Sequence, residues 1–140
     1  MAFKVLNVDH IGIGVTDLAA TKEFYKNALG IQHLPEDEVV EEQKVKVSFF
    51  PCGDAELEFL ESTTPDGPIG KFIAKNGGRN GIQHVALRVD NIEAAIADLM
   101  EKGIRMIDEK PRYGAGGSAI AFIHPKATGG VLLELCQRMK

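Results

Sequence analysis

Two stretches of this chain open alike: Val8-Asp9-His10-Ile11-Gly12-Ile13-Gly14-Val15-Thr16-Asp17 and Ile82-Gln83-His84-Val85-Ala86-Leu87-Arg88-Val89-Asp90-Asn91. His10 and His84 stand 74 residues apart. Each stretch leads, through a polar break and a helical pattern, towards an acidic strand: Ala55-Glu56-Leu57-Glu58-Phe59-Leu60 in one case and Val131-Leu132-Leu133-Glu134-Leu135 in the other. Glu58 follows His10 by 48 residues, and Glu134 follows His84 by 50. A duplication of this kind restricts the chain to folds assembled from two copies of one unit. Copies that each present one histidine and one glutamate can join two imidazoles and two carboxylates in a single metal site between the halves.

Each copy reads as β-α-β-β-β. Residues 8–15 alternate in polarity and predict a strand. Thr16 or Asp17 caps a helix carrying Leu18, Thr21, Phe24, Tyr25, Ala28 and Leu29 at helical spacing, and Gly30 stops it. Residues 31–35 read as a short strand or extended segment, 35–42 as an exposed turn or loop, and 44–50 and 55–61 as strands separated by Pro51-Cys52-Gly53-Asp54. Residues 62–70 read as a linker, with a short helix over 69–74. The second copy has a strand over 82–89 and a helix near 91–102, with Ile92, Ala95, Ile96, Leu99 and Met100 on one face and Gly103 as its stop. Extended segments follow at 104–108, 118–124 and 131–137. The expected class is α+β: one domain, residues 1–140, of two βαβββ modules (about 5–65 and 80–140). They are expected to stand in a pseudo-twofold arrangement, with a curved mixed sheet around a metal-binding cleft.

Composition removes several classes of function. Net charge is −4 with both signs dispersed, and no basic block or aromatic platform is present, so nucleic acid is not an expected partner. No apolar run approaches the roughly 18 residues of a membrane span. The opening Met1-Ala2-Phe3-Lys4-Val5-Leu6-Asn7 is too short and too quickly polar for a signal peptide. Cys52 and Cys136 do not make a disulfide framework, and the expectation is two small buried or half-buried residues in the cytoplasm.

Strand parity selects the chemistry. Ile11, Ile13 and Val15 turn one way, under the helix, and leave His10 on the other face. Val85, Leu87 and Val89 do the same for His84, Leu57 and Phe59 for Glu58, and Val131, Leu133 and Leu135 for Glu134. A glutamate within Val-Leu-Leu-Glu-Leu is costly to bury uncompensated, and a cation offsets that cost. Two imidazoles and two carboxylates suit Co(II), Ni(II), Mn(II), Fe(II) or Zn(II). His33 and His124 have no partner in the other copy and are not expected as ligands. The Gly114-Ala115-Gly116-Gly117 run lacks the spacing of a nucleotide loop and reads as flexible cover over a cleft. Lys71, Arg79 and Lys126 read as solvated charges, with contact to an anionic ligand as the other reading.

These stretches, together with Val89-Asp90-Asn91-Ile92 and the ending Ile123-His124-Pro125-Lys126 to Gly129-Gly130-Val131-Leu132-Leu133-Glu134-Leu135, resemble the vicinal oxygen chelate superfamily. Within it the chain looks like the methylmalonyl-CoA epimerase family over essentially its whole length. The first two stretches are widely shared, and the His-Pro-Lys ending is the more particular signal. The resemblance implies metal ligands at His10, Glu58, His84 and Glu134, a divalent metal with Co(II) foremost, an acyl-CoA substrate and a homodimer. It also implies inversion at C2 by proton abstraction and re-delivery through a metal-stabilised enolate. Glu58 and Glu134 are the expected acid/base pair. A glyoxalase I-type lactoylglutathione lyase and a non-enzymatic small-molecule binder of the same fold are the alternatives. One departure stands out. Some epimerases have glutamine at the Glu58 position and a separate basic glutamate on the preceding strand, after a Glu-Gln pair. Here that pair is Glu42-Gln43, and the later position falls at Val47.

Overall fold

The structure, a computed structural model, describes residues 2–139. Eight strands and three α-helices follow the duplicated order. The first module holds β1 (Val5–Gly14), α1 (Leu18–Glu23), β2 (Glu38–Val40), β3 (Val45–Cys52) and β4 (Ala55–Ser62). A connecting helix, α2 (Pro68–Lys75), leads to β5 (Gly81–Val89), α3 (Ile92–Glu101), β6 (Arg112–Gly114), β7 (Ser118–Ile123) and β8 (Leu133–Gln137). The chain divides into two compact units, His10–Gln83 and Met1–Asp9 with His84–Lys140, so the start of β1 belongs with the second module.

Within each module the strands follow one plan. The first runs β2-β3-β4-β1 and the second β6-β7-β8-β5, with the outer pairs antiparallel and β1·β4 and β5·β8 parallel. Mixed pairing with one covering helix per module bears out the α+β, twice-βαβββ expectation. Helix starts and stops also repeat. The Asp17 carboxylate accepts from the Ala20 N–H, and the Asn91 side chain accepts from the Ala94 N–H. Such a cap contributes about 1 kcal/mol. Beyond α1 the helix widens into a π-helical turn, Phe24–Ala28. Gly30 and Gly103 then take φ of +71° and +80°, and the next N–H reaches back to Tyr25 and Leu99 respectively, closing both helices in the left-handed way that favours glycine.

The apolar faces pack as their parity demands. Val15, Leu18, Phe50 and Phe59 form one buried cluster, joined by Ile13, Tyr25 and Leu57. Val89, Ile92, Ala95, Ile96, Ala121, Ile123 and Leu135 form most of the other. Burying a side chain of this size contributes about 1.5–3 kcal/mol, so these clusters fix which face of each strand is left for polar residues.

The sequence reading is narrowed at one place and corrected at two. Of the two readings of residues 31–35 the strand is excluded: the Leu34 N–H bonds the Phe49 carbonyl and the His33 ring stacks on Phe50, so the segment is a strap rather than a ladder. The second strand of the first module lies instead at Glu38–Val40, inside the segment read as a loop, where Val40 is buried and pairs with Val45. Residues 104–108 make only an isolated bridge, Met106 to Ile123. The Asp108 carboxylate accepts the Phe122 N–H, taking a donor that a strand backbone would need, and pairing resumes at Arg112–Gly114. Cys52 also departs from expectation, being exposed at the end of β3, whereas Cys136 is buried.

Candidate functional site

Register places the chemistry. Residues paired across neighbouring strands point to the same face. In the first module Gly12 pairs with Glu58 and Phe49 pairs with Glu58, so these three form a row across β1, β4 and β3. His10 lies two residues before Gly12 and therefore on the same face. In the second module Ala86, Glu134 and Phe122 form the matching row, and His84 lies two residues before Ala86. The two modules thus offset histidine, glutamate and a flanking phenylalanine identically.

The structure brings His10 to Glu58, with Nδ1 3.4 Å from Oε2, and His84 to Glu134, with Nε2 3.1 Å from Oε1. All four side chains are buried; the glutamates are 4% and 3% exposed. Two carboxylates held out of water beside imidazole nitrogens have lost their hydration, and a divalent cation is a natural counterion for such donors. The residues present therefore fit a divalent metal: each pair offers one nitrogen and one oxygen. The Phe122 ring meets His84 edge-on at 5.4 Å, which limits where that imidazole can turn.

A clamp sits beside this frame. Asp9, fully buried, accepts from Arg88 Nε at 2.8 Å and from Arg138 Nε and Nη2 at 2.8 and 3.0 Å. Arg88 lies four residues after His84, and Arg138 four residues after Glu134. The carboxylate thus cross-links the strands that carry the second His–Glu pair. Sequence reasoning missed it, because nothing in the spacing announces an ion pair between residues 9 and 138. Cys136 lies on the same face, where burial above all, with the Asp9 and Glu134 charges adding to it, pushes its thiol up and keeps it protonated.

Other expected residues fall elsewhere. His124 Nδ1 accepts the Lys126 N–H and caps the turn at Pro125–Ala127. Arg79 donates to the Asn76 carbonyl within its own turn. The glycine run is packed at its start rather than loose: a Cβ on Gly114 would meet Ile120 Cγ2 at 2.5 Å. A hollow of about 440 Å³, lined by Thr21, Phe24, Tyr25, Asn80 and Ile82 among others, opens on the helix face with Ile13, Val15 and Phe59. It is therefore on the opposite face from His10 and Glu58.

Comparison with known proteins follows the same lines. Residues 9–122 match the Glyoxalase/Bleomycin resistance protein/Dioxygenase superfamily. A Bacillus subtilis protein, YqjC, is 42% identical over 93% of this chain and 91% of its own length. The human mitochondrial methylmalonyl-CoA epimerase is 42% identical over 93% of this chain and 73% of its own. Among solved structures, a variant of the Streptomyces coelicolor methylmalonyl-CoA epimerase in complex with 2-nitronate-propionyl-CoA superposes with a TM-score of 0.89 at 39% identity, covering 97% of this chain and 96% of that one. With a match over most of its length, the chain belongs to the Glyoxalase/Bleomycin resistance protein/Dioxygenase superfamily.

Proposed function

We propose that this protein is a metal-dependent epimerase that interconverts the (2R) and (2S) forms of methylmalonyl-CoA. The observation that carries the reading is the pair of equivalent buried His–Glu couples, His10–Glu58 and His84–Glu134, in a chain about 40% identical to epimerases of that substrate. His10, Glu58, His84 and Glu134 would hold one divalent cation, with Co(II) first and Ni(II), Mn(II), Zn(II) or Fe(II) as substitutes. When bound, the cation supplies Lewis acidity to the carbonyl oxygens that flank C2 and so makes its hydrogen more acidic.

Inversion requires a proton to leave one face of C2 and another to arrive on the opposite face, so it requires two acid/base groups. Glu58 and Glu134, one from each module, are assigned those roles. The position that would carry a separate base on β3 is Val47, which is buried and pairs with Leu60 on the face of Glu58. With Phe49 beside it, β3 offers this face an apolar wall, which excludes water from around Glu58 and leaves proton transfer to other strands. The reading includes a homodimer, as the family resemblance implies, and a cytoplasmic setting, supported by two unpaired cysteines. Among the described residues no helix is long and apolar enough to cross a membrane.

The test is isotope exchange. In deuterated water the protein should replace the C2 hydrogen of methylmalonyl-CoA by deuterium while interconverting the epimers. Chelator treatment should abolish this, and Co(II) should restore it. Conversion of the glutathione–methylglyoxal hemithioacetal without C2 exchange would instead make the protein a glyoxalase I-type lyase.

A further inference from the structure

We infer that Arg112 is an anion-binding residue of the substrate site, receiving a carboxylate or phosphate oxygen of the acyl-CoA; this rests on the epimerase reading above.

The placement follows from register. Arg112 pairs with Ile120, and Ile120 pairs with Cys136, so the row Cys136, Ile120, Arg112 runs across the same face as Glu134 and Phe122. Arg112 reaches back over the neighbouring row, and its guanidinium carbon lies 5.5 Å from the centre of the Phe122 ring. The same ring meets His84 edge-on. One phenylalanine therefore separates the cation from a proposed metal ligand.

The guanidinium is fixed before any ligand arrives. Asp108 Oδ1 accepts from Arg112 Nε at 3.0 Å, and Asp108 Oδ2 is itself tied to the Phe122 N–H at 2.9 Å. The aromatic face beneath and the carboxylate at one edge hold the plane of the group. Arg112 makes no further hydrogen bond or ion pair among the described residues, so both terminal amino groups are left to donate. A planar fork with two parallel donors suits a carboxylate or a phosphate. Arg112 is 41% exposed in its side chain, so a ligand can reach it. The chain as a whole carries −4, and bulk charge does not draw in a polyanionic thioester, which makes a fixed local cation more consequential.

The fold itself does not demand an arginine here. The matching position of the first module, the residue that pairs with Val47 as Arg112 pairs with Ile120, is Glu38. The same edge position therefore accepts opposite charges, and the positive one stands over Phe122.

The test compares Arg112→Gln, Arg112→Lys and a control, Arg105→Gln, an exposed arginine nearby in sequence. Each is assayed for epimerisation of methylmalonyl-CoA and of the methylmalonyl thioester of N-acetylcysteamine, which keeps the carboxylate and lacks every phosphate. Arg112→Gln should raise KM about 10- to 100-fold, the range of one charged hydrogen-bonded contact, with kcat little changed. Arg112→Lys should recover part of the loss, and Arg105→Gln none of the effect. A rise with both substrates identifies the carboxylate as the anion; a rise with the CoA ester alone identifies a phosphate. Thermal unfolding midpoints within a few degrees of wild type exclude misfolding. If wild type turns over and Arg112→Gln leaves both KM values within twofold, or lowers kcat alone, the inference about Arg112 is wrong and the epimerase reading stands. A wild-type protein inert towards methylmalonyl-CoA with Co(II) present overturns the epimerase reading, and the inference with it.

Discussion

In the first module Gly12, Glu58 and Phe49 line up across three strands with His10 two residues back; in the second, Ala86, Glu134 and Phe122 do so with His84 two residues back. Around these matching frames the surroundings differ. Beyond its glutamate the first module continues with Gly14, Leu60 and Val47, and it ends on Glu38. The second continues with Arg88, Cys136 and Ile120, and it ends on Arg112. The imidazoles differ as well: His10 faces its glutamate through Nδ1 at 3.4 Å, His84 through Nε2 at 3.1 Å. Backbone register has kept the donor frame, while the cationic side chains along these rows, Arg88 and Arg112, belong to the second module only. The repeated residues are therefore those suited to holding a cation, and the unrepeated ones those suited to telling one end of a substrate from the other.

The largest expected effect tests whether the two glutamates are equivalent in chemistry as well as in register. Glu134→Gln and Glu58→Gln should each cost epimerisation on the order of 100- to 10,000-fold, the usual loss when a general acid or base is removed. Glu58→Gln should keep much of its metal by elemental analysis, because an amide oxygen still coordinates. It should also still wash deuterium into one epimer, since exchange from a single face needs a single base. Near-normal epimerisation by metal-loaded Glu58→Gln would reduce Glu58 to a ligand and break the equivalence. The next acid/base candidate would then be Glu56, which pairs with His10 across β1 and β4; Glu42, the glutamate of the Glu42-Gln43 pair, is exposed in the turn after β2.

The frame was legible in the sequence because it is local and repeated. Period-two alternation placed His10, Glu58, His84 and Glu134 on the face away from the helices, and the helix cap at Asp17 and the stops at Gly30 and Gly103 lay in plain view. What escaped detection has two causes. β2 and β6 are three-residue edge strands, too short to show a period, and β6 adjoins a glycine run that reads as loop. Losing β6 hid the register that sets Arg112 over Phe122. Asp9 was hidden because its partners lie 79 and 129 residues away, and separation of that order leaves no mark on local pattern.

Asp9 gives the middle-sized prediction. The matching residue of the second module is Gln83, so the clamp exists once. Asp9→Asn keeps the shape but removes the charge that two guanidiniums share. Arg88 and Arg138 are about a third exposed, and water offsets part of the loss. The expected cost is about 2–3 kcal/mol, in the range for hydrogen bonds to charged groups, read as a lower urea midpoint with an unchanged slope. Metal affinity should fall as well, because the clamp ties β5 to the end of β8. A midpoint equal to wild type would mean that the arginines find other partners and that the clamp does not hold the second pair.

The smallest effect concerns the connections between the last two strands of each module. β3 and β4 are joined by a tight turn at Gly53-Asp54, whereas β7 and β8 are joined through residues 124–132, where His124 Nδ1 accepts the Lys126 N–H. An imidazole that accepts through Nδ1 keeps that nitrogen unprotonated. Desolvation of the half-buried ring first, then the charges of Arg105 and Lys126, hold its pKa below the ordinary 6.5. A base whose folded pKa is depressed binds fewer protons in the native state, so its contribution to stability is present above pH 6.5 and is lost as pH falls from there through the folded value. Proton NMR should show His124 titrating below 6.5, with the Lys126 amide shift following the same curve and the Asp54 amide unmoved over that range. A His124 midpoint at or above 6.5, or a Lys126 amide indifferent to it, would show that the imidazole does not hold this turn and that both connections respond to acid alike.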